Sequence, residues 1–154
     1  MATYVARHRV ARPIRDVFDF MGTRYYENHA RWEREVVEVR PMTDGPISLG
    51  SRAVMVRQDL GRQRELIYEV TEFEPPHRIA FRHLDSGMRF DIAFALRAVD
   101  DAATDLAVSV RMEPRGILRL AAPFLAASLP RTSERITRRL VDLLEAEAPA
   151  PVAP

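Results

Sequence analysis

The strongest constraint in this sequence is a change of period. From Arg52 to Met112 apolar residues recur at every second position in successive runs, and from Gly116 to Leu143 they recur every third or fourth. The cleanest alternation sets Met88, Phe90, Ile92, Phe94 and Leu96 against Arg89, Asp91, Ala93, Ala95 and Arg97. Leu106, Val108, Val110 and Met112 repeat it against Asp105, Ala107, Ser109 and Arg111. Runs of this kind form antiparallel strands with one wet face and one apolar face. The apolar face needs a cover. The stretch after Gly116, with Leu118, Ala122, Leu125, Leu129, Ile136, Leu140 and Leu143 in helical register, is the one segment large enough to supply it.

The remaining elements fit around that pair. Tyr4, Ala6, His8 and Val10 share one face of a first strand, and Pro13 opens a short helix carrying Ile14, Val17, Phe18 and Met21 up to Gly22. A second helical piece over residues 24–30 leads to Trp32, and an extended run through Val36 and Val37 stops at Pro41. Strands follow over Arg52 to Leu60, Gln63 to Phe73 (a hairpin across Gly61) and, after Pro75-Pro76, Arg78 to Leu84. A turn at Asp85-Ser86-Gly87 precedes the Met88 run. Pro123 and Pro130 predict a segmented final helix of about 30 residues, straight only beyond Pro130. The expected fold class is α+β: a curved antiparallel sheet of about seven strands around a long C-terminal helix, with two short helices after the first strand. A single domain over 1–147 and an Ala/Pro-rich disordered tail at 148–154 are expected.

Composition narrows the chemistry. The 154 residues contain no Cys, which removes disulfides, thiolate nucleophiles and Cys-ligated zinc. All 23 basic residues are Arg, so Schiff-base and P-loop lysines have no candidate. A net charge of +1, with Arg interleaved among Asp and Glu, argues against a nucleic-acid partner. The Arg131, Arg135, Arg138 and Arg139 cluster, with Glu134, Asp142 and Glu145 beside it, reads as a solvated helix face. The four His at 8, 29, 77 and 83 show no metal-binding spacing, and no metal is expected. No run is long and apolar enough for an integral membrane segment, and a cytoplasmic location is expected.

Four stretches in order, VARPIRDVFDFM, NHARWEREVVEV, YEVTEFEPPHRIAFR and MEPRGILRLAAPFLAASLPRTSERITRRLVDLLE, resemble the START-like (SRPBCC) helix-grip superfamily, in its polyketide cyclase/dehydrase and lipid-transport branch. The resemblance covers almost the whole chain. It implies an internal cavity between sheet and helix for a hydrophobic or aromatic molecule, and no cofactor. No short motif carries the catalytic residues of known aromatase/cyclases onto this chain, so the likeness leaves the chemistry open.

The residues agree with a cavity. Residues 117–129 are apolar nearly all round, so this half of the helix is expected to be buried on more than one side or to line an opening. Ala121, Ala122, Ala126 and Ala127 would leave volume beneath it, and a pocket of a few hundred Å³ suits a small molecule. His83, Tyr68 and His8 share the apolar strand faces. They are the catalytic candidates, able to move protons in aldol closure and dehydration, although each taken singly fits a core residue better, and convergence of two of them is what would mark a catalyst. Arg57 or Arg52, on a strand whose facing the sequence leaves open, could hold a carbonyl or carboxylate. Trp32, Tyr26, Phe81, Phe90, Phe94, Phe124 and Leu125 are candidate walls for the guest, and Asn28 and His29 are expected to cap or turn the second helix. Three roles stand open: a polyketide cyclase/dehydratase, a non-catalytic carrier of a lipid or quinone as in coenzyme Q-binding proteins, and an interaction module using the apolar half of the last helix. Oligomeric state is open, a homodimer included.

Overall fold

The alternation resolves into seven strands: β1 (Ala2–Val10), β2 (Val36–Pro41), β3 (Arg52–Asp59), β4 (Arg62–Glu74), β5 (Arg78–Leu84), β6 (Met88–Ala98) and β7 (Thr104–Pro114). They form one antiparallel sheet in the order β1-β7-β6-β5-β4-β3-β2. The computed structural model describes residues 1–84 and 87–147; Asp85 and Ser86 of the expected turn, and the expected tail at 148–154, lie outside the described residues. Register places the apolar partners in rows across the sheet, such as Val70–Phe81–Ile92–Val110–Tyr4. Each fully buried aliphatic or aromatic side chain in these rows stabilises the fold by about 1.5–3 kcal/mol.

The first two helices hold that face from one side. α1 (Ile14–Phe18) starts after Pro13, whose extended backbone is preset for helix entry, and then widens into a π-helical turn over Asp19–Thr23. The turn buries Phe20 and Met21 together, and Gly22 is required there: a Cβ would lie 2.9 Å from the Phe18 ring. The Nδ2 amide of Asn28 donates to the Phe20 carbonyl at 2.9 Å, tying the turn to α2 (Tyr25–Trp32). Tyr25 and Trp32 of α2 are buried against Phe81 and Phe20.

The C-terminal helix departs from expectation in two ways. A 3-10 turn over Gly116–Ala121 is followed by an uninterrupted α3 (Ala122–Glu147), so the break falls before Pro123, and Pro130 sits inside the helix. Pro123 occupies the first turn, where a backbone N–H has no intrahelical partner to lose. Secondly, the start of the apolar stretch is not enclosed: Ile117, Leu120 and Phe124 are 81%, 84% and 76% exposed, and only Leu129 at its end is buried. The aromatic block of α2 already covers the central strands, so α3 docks chiefly on β1 through Leu129, Leu140, Val141 and Leu144, and its first turns project past the sheet. Tyr4 and His8 of β1 clamp it, bonding the two Glu134 carboxylate oxygens at 2.9 Å each.

Candidate functional site

One row of the concave face carries the chemistry: Ala53, Tyr68, His83, Phe90 and Met112 pair in sequence across β3 to β7. His83 stacks on Tyr68 with centroids 6.0 Å apart and lies 4.6 Å from Phe90. Phe81, two residues before His83 on β5, packs edge-on to Tyr68 at 5.4 Å and against Tyr25 at 4.2 Å, and Phe94 lies 6.4 Å from Phe81. Tyr68 is 1% exposed, yet its hydroxyl has no hydrogen-bond partner among the described residues. Burial, reinforced by Tyr26 and Glu33 nearby, pushes its pKa well above 10, so the phenol stays protonated and can only donate or accept as a neutral group.

α2, with Glu33 just beyond its end, and β3 add a half-buried charged chain beside this row. Nε2 of His29 meets a Glu33 carboxylate oxygen at 2.8 Å, and the other Glu33 oxygen accepts from Arg57, which also reaches Asp59 at 3.2 Å. Burial alone would raise the Glu33 pKa; the hydrogen bonds and charges of His29 and Arg57 reverse this and pull it down to about 2. An ionised Glu33 only accepts, so the proton of the His29–Glu33 bond sits on Nε2. That leaves His29 Nδ1, buried and without a partner, as a lone pair when the ring is neutral. Tyr26 completes the group: its ring is 6.2 Å from Tyr68, and its hydroxyl makes no bond of good geometry, although Ser51 is close enough to lower its pKa against a larger upward push from burial. The rings of Tyr26 and His29 thus lie 6.2 and 6.4 Å from Tyr68, and each of the three side chains carries a buried polar atom with no hydrogen-bond partner among the described residues.

The remaining candidates separate. Arg57 faces inward with Ala53 and Met55 and is engaged by Glu33 and Asp59; Arg52 faces outward, exposed, and pairs with Glu69. His8 faces the same side as Tyr68 and His83, but β1 is separated from β5 by two strands, and its ring is held by Glu134. Trp32 is buried against Tyr25, His29 and Phe20 and forms part of the floor of a 580 Å³ cleft between α2 and the arginine face of α3. Leu125 lines a 220 Å³ groove with Met112, Pro114 and Ala122. These two spaces are open clefts, one beside the arginine face of α3 and one at its start. His29 and Glu33 escaped the sequence reading, which assigned His29 to a cap; their separation by four residues on one helix was the available signal.

The whole arrangement, from β1 to the end of α3, matches the family model for polyketide cyclase / dehydrase and lipid transport over residues 1–145. The chain belongs to the polyketide cyclase/dehydrase and lipid transport family. Among solved structures, the fold of this family member is similar to a START superfamily protein from Mycobacterium smegmatis (14% identity, TM-score 0.77, covering 95% of this chain and 99% of that one). It also resembles the Zhui aromatase/cyclase from Streptomyces sp. R1128 (13%, 0.74, 95% and 92%) and a protein from Thermus thermophilus (14%, 0.74, 94% and 97%). At these identities the likeness is one of fold. No curated protein sequence matches the chain. Membership of this family, with its START-like fold, supports binding of a hydrophobic ligand. Among the described residues no helix is long and apolar enough to cross a membrane.

Proposed function

We propose that this protein binds a small aromatic, polyketide-like molecule against the Tyr68–His83–Phe90 row and acts on it by acid–base chemistry, in the cytoplasm and without a cofactor. The observation that carries the reading is the Tyr68 hydroxyl, buried among rings with no partner of its own. A buried unsatisfied donor costs about 1–3 kcal/mol, a cost a ligand oxygen would relieve. The guest enters from the open side of the row, where His83, Phe90 and Leu125 are half-buried. Tyr68 donates to a carbonyl oxygen and stabilises the negative charge that builds there when a proton leaves the adjacent carbon. His83 takes that proton, and in dehydration returns one to the departing hydroxyl, so that water leaves and a carbon–carbon double bond remains. Arg57 acts through Glu33 by holding the polar wall in place, and His8 fastens α3 to β1.

The test is twofold. Native mass spectrometry of the purified protein is expected to find a co-purified aromatic molecule, and a hydroxyanthraquinone probe is expected to bind with quenching of its fluorescence. Tyr68→Phe should weaken the probe by about 5- to 10-fold, as expected for one lost hydrogen bond. Equal affinity of the two proteins would refute the site.

A carrier role is the second reading, favoured by the 6.0 Å separation of the Tyr68 and His83 rings, which are stacked rather than hydrogen-bonded to one another. Probe binding with no dehydration of an aryl β-hydroxyketone, in wild type and His83→Ala alike, would select the carrier of a lipid or quinone.

A further inference from the structure

The 580 Å³ cleft between α2 and α3 shares no lining residue with the Tyr68–His83–Phe90 row. Five arginines face it: Arg131, Arg135, Arg138 and Arg139 from one side of α3, and Arg34 from the link between α2 and β2. Helical spacing sets Arg131 and Arg138 two turns apart, about 10 Å. Three carboxylates, Glu35, Glu134 and Asp142, stand against the five guanidinium groups, so two positive charges are in excess. Two of those acids are engaged elsewhere or already paired. Glu134 gives both oxygens to Tyr4 and His8, and Glu35 gives one oxygen to Arg135 at 3.1 Å and buries the other. Arg139 donates to the Arg31 carbonyl at the end of α2, 2.9 Å away. Arg34, Arg131 and Arg138 are exposed and make no hydrogen bond or ion pair among the described residues; Arg138 lies only close enough to Glu134 to help hold its pKa down. Asp142 is exposed and pairs with none of them.

We propose that this cleft is a second binding site, for a phosphorylated small molecule whose phosphate meets the unpaired guanidinium groups and whose apolar body lies on Ile136 and the edge of Trp32. A phosphate monoester carries about −1.5 to −2 charges at pH 7 and three acceptor oxygens, which matches two excess positive charges and three unpaired arginines. A carboxylate brings one charge and two oxygens. Guanidinium forks bind phosphate oxygens in pairs, and a concave site walled by two elements is screened less than the open face of a lone helix. The volume falls within the range of about 300–1,000 Å³ that small-molecule sites occupy. Its floor is apolar, formed by half-buried Ile136 and by Trp32, the one tryptophan of the chain. The site stands whether the Tyr68 row is a catalyst or a carrier.

The experiment is isothermal titration calorimetry of the full chain with phenyl phosphate, benzoate and inorganic phosphate at constant ionic strength, with Trp32 fluorescence followed in parallel. Phenyl phosphate should bind, and benzoate and inorganic phosphate should bind about tenfold or more weakly. Trp32 emission should change with the calorimetric midpoint, because its ring lines the cleft. Arg34→Gln with Arg138→Gln should weaken phenyl phosphate by about tenfold or more, and Arg131→Gln several-fold. Arg7→Gln, at an exposed position on β1, and Tyr68→Phe should leave its affinity unchanged. Unchanged far-ultraviolet circular dichroism and thermal midpoint establish that the arginine variants fold, since all four side chains are exposed. Absence of phenyl phosphate binding, or binding without a Trp32 response, overturns the proposal. So does a loss in Arg7→Gln as large as in the double variant, which makes overall charge the cause, or a loss in Tyr68→Phe, which puts the phosphate at the other site. Equal affinity for benzoate overturns recognition of the phosphate, and equal affinity for inorganic phosphate overturns recognition of the apolar body.

Discussion

Glu33 is the residue whose charge the interior most depends on, and Glu33→Gln is the perturbation that exposes this. The substitution keeps shape and volume but removes the anion that accepts from both His29 and Arg57. The Glu33 carboxyl falls from an ordinary 4.5 to about 2 on folding, a preference for the charged form equivalent to about 3 kcal/mol. The sign follows from the direction: a carboxylate with a depressed folded pKa stabilises the fold above its unfolded pKa of about 4.5 and loses that contribution as pH falls toward about 2. Urea unfolding of both proteins across pH should therefore show a gap of about 3 kcal/mol at pH 6, about 2 near pH 3.5 and about 1 near pH 3, closing as Glu33 itself becomes neutral. Taking the difference between the two proteins cancels the carboxylates that share no partner with Glu33, such as Asp91, Asp105 and Glu134, which are also held below their usual range by arginine, tyrosine or histidine neighbours. A gap that stays constant from pH 6 to pH 3, or one under about 1 kcal/mol at pH 6, would refute the claim that His29 and Arg57 hold Glu33 ionised inside the protein.

Three further outcomes follow from single positions. Tyr68→Phe removes a buried hydroxyl that lacks a partner, so the ligand-free protein should gain about 1 kcal/mol in urea unfolding even as probe affinity falls. Gly22→Ala drives a methyl into the Phe18 ring and should cost about 1–3 kcal/mol, measured as a lowered thermal midpoint. Pro130→Ala restores an N–H aimed at the Ala126 carbonyl inside α3 and, at an exposed position, should stabilise by about 1–3 kcal/mol; no gain would mean that the helix bends there for packing.

Much of the architecture was legible because it depends on local periods. Alternation along Met88–Arg97 and Leu106–Met112 sets which side chains share a face whatever the rest of the chain does, and the observed rows Phe90–Met112 and Phe94–Val108 agree. The same parity placed His8, Tyr68 and His83 on the concave side. It could say nothing of distance across the sheet, and so did not separate His8 on the β1 edge from the Tyr68–His83 pair. Arg57 shows the limit at a single strand: Ala53, Met55 and Arg57 alternate with Val54 and Val56, both sets are apolar enough to face inward, and only the pairing of Ala53 with Tyr68 decides.

Covalent order determined by itself the seven strands, their turns, the final helix and the apolar character of residues 117–129, since propensity and spacing act between near neighbours. Tertiary structure alone decided what that apolar stretch meets. The rings of α2 occupy the concave centre, and two bodies cannot fill one volume, so α3 lies on β1 and its leading turns face outward. The His29–Glu33–Arg57 chain arose in the same way. Its charges are tolerable only because a helix and a strand distant in sequence bury them together, where each neutralises the other.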